Sequence, residues 1–203
     1  VAGEAGGAYR DRPDAPSLLD GFNRTILFVK PGLVVVYDRL VAKEPSTFEY
    51  RLHALERFAI DDQHNIGLAV GEVRCALDLL AQADLALDQT DQYAPNPRPR
   101  IKLREWHLTA RAESPRRKIE FIAALQPRRA DDPEPKAVKF ERVDGGYVLK
   151  AETSNGRAVA LLPRNAESRF EAAGLACRGT VVVGLDDGNG TAQTFDLRDA
   201  VVD

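Results

Sequence analysis

Alternation of apolar and polar side chains with a period of two constrains the fold of this chain more than any other feature. Residues 47–55 show it most clearly. The apolar positions are Phe48, Tyr50, Leu52 and Ala54, and the polar positions between them are Glu49, Arg51 and His53. Successive side chains of a β-strand point to opposite faces of the sheet, so the pattern predicts a half-buried strand with His53 on its polar face.

Similar short runs recur along most of the sequence. They predict strands over 24–30, 33–40, 47–55, 66–70, 73–80, 85–88, 106–112, 119–125, 138–143, 147–152, 158–162, 169–173, 180–185 and 194–197. Pro31-Gly32 predicts a hairpin turn, in which the glycine allows a positive φ. Asp144-Gly145-Gly146 and Asn155-Gly156 predict further tight turns. Only residues 76–85 also fit a helix. We therefore predict an all-β protein, with an irregular lead-in over 1–21 and a large antiparallel β-sandwich (supersandwich-like) over 22–203.

Composition and charge exclude several classes of protein. The 203 residues carry a net charge of −3, so no chain-wide positive field would hold DNA or RNA. No apolar run approaches the ~18 residues that a membrane-spanning helix needs. Two cysteines are too few for a disulfide-stapled scaffold, although a single bridge between Cys75 and Cys177 is possible.

Positive charge is concentrated in residues 95–129, which hold ten basic and three acidic side chains, a local charge of +7. The basic residues are Arg98, Arg100, Lys102, Arg104, Arg111, Arg116, Arg117, Lys118, Arg128 and Arg129. Such a stretch could attract a polyanion through its carboxylate or sulfate groups. Alternatively, it is a solvated region whose arginines pair with acidic residues of the same molecule.

Local motifs for nucleophilic catalysis, phosphate binding and zinc binding are absent from the sequence. His53, His64 and His107 form no H-x-H or H-x-x-x-H spacing, so we predict no metal and no cofactor in this chain. Residues 186–190 look like a calcium loop but lack its acidic spacing and distal glutamate, which favours a turn.

Single residues leave two interpretations open. His53 and His107 could each act as a general base, or could hydrogen-bond to a neighbouring strand. Trp106 could stack on a sugar ring or fill the core. Tyr37, Tyr50 and Tyr93 are expected to pack, with their hydroxyls hydrogen-bonded.

Four blocks of sequence resemble the C-terminal β-sheet region of the heparinase II/III-like polysaccharide lyases. They are Arg24-Thr25-Ile26-Leu27-Phe28-Val29-Lys30-Pro31-Gly32-Leu33-Val34-Val35-Val36-Tyr37-Asp38-Arg39-Leu40, Phe48-Glu49-Tyr50-Arg51-Leu52-His53-Ala54, Gln89-Thr90-Asp91-Gln92-Tyr93 and Glu105-Trp106-His107-Leu108-Thr109-Ala110. The resemblance implies a bacterial, periplasmic or secreted parent enzyme in which an N-terminal α/α toroid precedes a β-sandwich. Such an enzyme cleaves uronate-containing acidic polysaccharide by β-elimination.

The chain departs from this family at one motif. The family's histidine-rich H-x-H segment, which carries catalytic and zinc-binding groups, has no counterpart here. We therefore expect the catalytic segments, and any zinc, to lie in a missing upstream part of the parent, and no lyase activity from these residues alone. Residues that could instead line a glycan cleft completed by the missing toroid domain are Arg51, His53, Arg104, Trp106 and His107.

Two other functions stay open on the sequence. An autonomous carbohydrate-binding module would bind glycan alone, by stacking Trp106 or Tyr93 on sugar rings. A purely structural sandwich would bind a protein partner and no glycan.

Overall fold

A computed structural model of the chain describes residues 1–10, 12–62, 65–93, 105–188 and 192–196. A short 3₁₀ helix spans Gly6–Ala8. The strands among the described residues are β1 (Ala2–Glu4), β2 (Leu19–Val29), β3 (Leu33–Ser46), β4 (Glu49–Ala54), β5 (Ala59–Ile60), β6 (Ile66–Val70), β7 (Val73–Ala81), β8 (Leu85–Thr90), β9 (Trp106–Ala112), β10 (Arg116–Arg129), β11 (Lys139–Val143), β12 (Gly146–Thr153), β13 (Gly156–Pro163), β14 (Arg169–Ala172), β15 (Leu175–Arg178), β16 (Val182–Asp186) and β17 (Ala192–Asp196).

A seven-stranded antiparallel sheet, in the order β1-β2-β3-β10-β7-β6-β5, forms the centre of the molecule. Residues 121–125 of its middle strand β10 are apolar on both faces, because each face is covered there by another sheet. Phe121 and Ala123 point to one side and Ile122 and Ala124 to the other, and all four are buried. The unbroken apolar run in β10 is therefore a consequence of its central position.

Two smaller sheets cover the central sheet. The three-stranded sheet β4-β9-β8 packs Tyr50 and Leu108 against Phe121 in one core. The five-stranded sheet β11-β12-β13-β16-β17 packs Leu149 and Leu162 against the opposite face in a second core. The hairpin β14–β15 covers the outer side of the five-stranded sheet and buries Cys177 there. The result is four stacked layers with three apolar cores.

One buried carboxylate joins the central sheet to the five-stranded sheet. Glu120 on β10 accepts a hydrogen bond from the Tyr37 hydroxyl at 2.5 Å and one from the Tyr147 hydroxyl at 3.0 Å. Gln82 and the Arg164 guanidinium also donate to it. Burial and the hydrogen bond to Glu120 raise the pKa of Tyr37 far above its usual value, so this hydroxyl stays a donor.

The fold confirms the prediction of an all-β sandwich. The predicted runs all contain strands where the structure describes them, and residues 76–85 form the end of β7 and the start of β8, not a helix. Tight turns at Gly145 and Gly156 have φ of 92° and 114°, as predicted. The hairpin at Pro31-Gly32 also forms, but Lys30–Pro31 is a cis peptide and Gly32 takes no left-handed conformation.

Other local expectations need correction. The lead-in over 1–21 is not wholly irregular, because Ala2–Glu4 pairs with Asn23–Thr25 as an edge strand and β2 begins at Leu19. Strands β5 and β15 were not predicted. Cys75 and Cys177 are both free thiols, on β7 and β15. The described residues include no helix of the length and apolarity needed to cross a bilayer.

Candidate functional site

The outer face of the three-stranded sheet holds a pair of stacked histidines. His53 on β4 lies directly opposite His107 on β9. Their ring centroids are 4.6 Å apart and their planes are inclined by 23°. Alternation along both strands places Leu52 and Leu108 on the core side, so the imidazoles lie on the solvent side. The prediction that His53 lies on a polar face is confirmed.

Glu105 and Tyr93 complete this cluster. Glu105 directly precedes β9, and its Oε1 lies 3.4 Å from His53 Nδ1. The Tyr93 hydroxyl donates a hydrogen bond to Oε2 of the same carboxylate, and the Tyr93 ring meets the His107 ring edge-on with centroids 4.2 Å apart. The hydrogen bond from Tyr93 and the nearby imidazoles lower the pKa of Glu105, which keeps the group an anion at neutral pH.

His107 is the inner member of the pair. Its Nε2 is buried and has no hydrogen-bond partner within the described part of the chain. A buried nitrogen without a partner costs about 1–3 kcal/mol, and native proteins contain few of them. His107 Nε2 is one of four buried side-chain atoms without a partner among the described residues, and it is the one that lies in this cluster.

Arginine flanks the histidine cluster on the same face. Arg51 lies two residues before His53, and its side chain is 63% exposed. Arg51 and Arg111 both bind the carboxylate of Glu49, at 2.5 and 2.8 Å. Partial burial alone would raise the pKa of Glu49, but the hydrogen bonds from both guanidinium groups lower it overall. The two arginines share the Glu49 carboxylate and so keep one positive charge between them, which the Glu105 carboxylate on the same face balances.

The structure separates Trp106 from the other sequence candidates. Trp106 pairs with Ala54 and packs against the core beneath the three-stranded sheet, on the face opposite the histidines. The Arg57 guanidinium lies over its ring at 5.3 Å from the centroid. Trp106 is thus partly buried against the core, while Arg51, His53 and His107 share the opposite face. Arg104 lies outside the described residues.

The basic stretch does not form one surface in the described residues. Arg111 is paired with Glu49, and the remaining described cations lie at opposite ends of β10. Arg116, Arg117 and Lys118 begin the strand, while Arg128 and Arg129 end it. A strand of this length spans roughly 40 Å at ~3.3 Å per residue, so the two groups are well separated.

His53, Glu105 and His107 could together hold a metal ion, because one ligand atom from each lies within 4.8 Å of the others. Spacing in the sequence could not show this arrangement, since the two histidines meet only through the pairing of β4 with β9. Glu105 and Tyr93 were overlooked as their partners for the same reason. The expectation of no metal stays a prediction, and the structure supplies a specific site at which to test it.

Comparison with known proteins assigns no family to this chain. No protein-family description matches the sequence, and no curated protein matches it. The resemblance to heparinase II/III-like lyases is therefore a hypothesis that rests on the sequence blocks alone.

Proposed function

We propose that this chain is the β-sandwich portion of a heparinase II/III-like polysaccharide lyase, and that the outer face of its three-stranded sheet contacts acidic glycan. The parent enzyme would cleave uronate-containing polysaccharide by β-elimination, with its catalytic groups in a toroid domain and an H-x-H segment upstream of these residues. The observation that carries the proposal is that exposed Arg51 and His53 lie beside the half-buried His107 on one sheet face.

The chemistry of that row suits a uronate substrate. A guanidinium group forms bidentate hydrogen bonds with a carboxylate. Arg51 already donates from Nε and Nη2 to Glu49, so it would reach a uronate carboxylate through the side of the guanidinium that carries Nη1. Imidazoles can donate hydrogen bonds to sugar hydroxyls and to glycosidic oxygens. A half-exposed sheet face could accommodate an extended polymer without rearrangement of the backbone.

The position of Trp106 favours this proposal over an autonomous carbohydrate-binding module. Such a module was expected to stack Trp106 or Tyr93 on sugar rings. Trp106 packs against the core and is partly buried, and the Tyr93 ring packs on His107. Neither ring is a free platform, so polar contacts carry the proposed glycan binding.

Affinity electrophoresis tests the glycan contact. The 203-residue chain would be run through native gels that contain heparan sulfate, chondroitin sulfate, alginate or neutral dextran. We expect retardation by at least one acidic polymer and none by dextran. Arg51→Ala should weaken the apparent affinity by up to roughly tenfold, the equivalent of about 1.4 kcal/mol.

Arg157→Ala is the matched control. Arg157 lies on β13 in a different sheet, is 71% exposed and, like Arg51, pairs with one carboxylate, that of Asp186. The control should migrate as the wild type does. Absence of retardation by every acidic polymer, or equal loss in both variants, would refute glycan binding at this face.

The lyase half of the proposal needs its own measurement. Ultraviolet absorbance from unsaturated uronate would be followed for the 203-residue chain alone and for the chain joined to the α/α toroid domain and H-x-H segment of a family member. Product from the joined protein only is the expected result. Product from the chain alone, or from neither protein, would contradict the proposal.

A further inference from the structure

We propose that His53, Glu105 and His107 form a binding site for a divalent transition metal of the zinc class, with Tyr93 as the residue that positions the carboxylate. This inference does not rest on the proposed glycan function. It starts from two stacked imidazoles and a carboxylate whose ligand atoms lie within 4.8 Å of one another on one face of the sheet.

The distances between the ligand atoms are close to those around a bound metal. Zinc binds nitrogen and oxygen at about 2.0–2.2 Å, so tetrahedral geometry separates its ligand atoms by roughly 3.4 Å. His53 Nδ1 and Glu105 Oε1 are 3.4 Å apart, and no pair of ligand atoms in the cluster exceeds 4.8 Å. An imidazole nitrogen binds a metal in the plane of its ring, so one of the stacked rings must turn toward the metal. Side-chain rotations that close gaps of up to about 1.4 Å would then complete the site.

The donor set selects the class of metal. Two neutral imidazoles with one carboxylate suit zinc, cobalt or nickel, while calcium and magnesium prefer oxygen ligands throughout. Three ligands from the protein leave a fourth position for water or for a substrate oxygen, as in catalytic zinc sites.

Two further observations support a metal at this place. The buried Nε2 of His107 has no partner in the described residues, and a metal or a metal-bound water would supply one. The Tyr93 hydroxyl already holds the far oxygen of Glu105. Outer-shell hydrogen bonds of this kind orient metal ligands, and their removal typically weakens metal affinity by about 10- to 100-fold.

The position of the strands restricts movement in the site. β9 is the middle strand of its sheet and is hydrogen-bonded on both sides, to β4 and to β8. The core residues Leu108 and Ala110 anchor it from below. A metal would therefore bind between side chains that are already held close together, at a small cost in conformational entropy.

Competition with a chromophoric chelator tests the site. The chain would be freed of metal by dialysis against chelator and then titrated with Zn²⁺. We expect one Zn²⁺ per chain. Both outer ligands are partly exposed, His53 at 48% and Glu105 at 39%, so His53→Ala and Glu105→Gln should fold normally. Each should weaken binding by more than roughly 100-fold, beyond the range for an outer-shell residue.

Tyrosine variants separate positioning from direct ligation. Tyr93→Phe should weaken Zn²⁺ binding by about 10- to 100-fold without changing the stoichiometry. Tyr9→Phe is its matched control, because Tyr9 is also partly exposed and packs edge-on against another aromatic ring, that of Phe22. The control should bind Zn²⁺ as the wild type does.

Spectroscopy identifies the ligands without relying on the variants. The chain has three histidines, and nitrogen-detected NMR should show Zn²⁺-dependent shifts for two imidazoles, those of His53 and His107. The Co²⁺ form should show ligand-field bands without the charge-transfer absorption of a bound thiolate. No Zn²⁺ uptake, retained affinity in His53→Ala, a shifted His64 or a cobalt–thiolate band would each overturn the proposal.

Discussion

Removal of the carboxylate of Glu120 is expected to destabilise the fold strongly, because that group satisfies several buried donors at once. Glu120 is 7% exposed and accepts the hydroxyls of Tyr37 and Tyr147, which are 1% and 3% exposed. In Glu120→Ala both hydroxyls lose their acceptor within the packed interface between two sheets. The Arg164 guanidinium, which is 36% exposed, can turn toward water.

The magnitude follows from the number of groups left unpaired. A buried donor without a partner costs about 1–3 kcal/mol, so two hydroxyls cost about 2–6 kcal/mol. Removal of the carboxylate also removes the cost of burying its charge, which offsets part of this loss. Broken buried ion pairs typically destabilise by about 3–5 kcal/mol, and we expect Glu120→Ala to fall in that range. That is a large part of the ~5–15 kcal/mol that usually stabilises a native protein.

Urea unfolding followed by circular dichroism and by the fluorescence of Trp106 would measure the effect. Glu141→Ala is the control, because Glu141 is 61% exposed and makes one surface ion pair, with Lys150. It should cost no more than about 1 kcal/mol. Tyr37→Phe should destabilise the wild type more than it destabilises Glu120→Ala, whose acceptor is already gone. If Glu120→Ala and Glu141→Ala lowered the free energy of unfolding equally, the structural role assigned to Glu120 would be refuted.

Three further predictions concern stability and pH. Burial raises the pKa of Tyr50 to about 12 and that of Tyr37 further. Near pH ~11 the folded protein should therefore contain fewer ionised tyrosines than the unfolded protein. The free energy of unfolding should fall as the pH rises above about 10, the usual pKa of tyrosine. An alkaline absorbance titration with and without urea checks this. Gly146→Ala should destabilise the fold strongly, since a Cβ there would collide with a backbone carbonyl of β13. A Cβ at Gly3 meets open space, so Gly3→Ala should not destabilise it. Comparison of the melting temperatures of both variants with that of the wild type tests this. The pKa of Glu49 is lower in the folded protein than in the unfolded protein, so its ion pairs contribute about 1 kcal/mol to stability above the unfolded pKa near 4.5. This contribution should be lost as the pH falls further. The difference in free energy of unfolding between wild type and Glu49→Gln should therefore shrink at acidic pH.

Alternation along single strands made most of the fold predictable. Residues 106–112 and 66–70 were predicted with the bounds that the structure shows. Strand β15 was overlooked because the turn before it uses a positive φ of 50° at Ala173, a conformation that an alanine does not signal. The four-layer stacking was not predictable, because it depends on which strands pair across long distances in sequence.

The two proposals for the histidine face make opposite demands on Glu105, and this difference separates them. A uronate carboxylate at His53 would approach Glu105, whose Oε1 already lies 3.4 Å from the imidazole, so the two anions would repel each other. A metal cation would gain from the same carboxylate. Glu105→Gln should therefore weaken Zn²⁺ binding while leaving metal-free binding of acidic glycan unchanged or stronger. A parallel loss of both would mean that Glu105 acts by holding the imidazoles in place. Loss of glycan binding alone would place the polymer directly on Glu105 and leave the metal proposal without its carboxylate ligand.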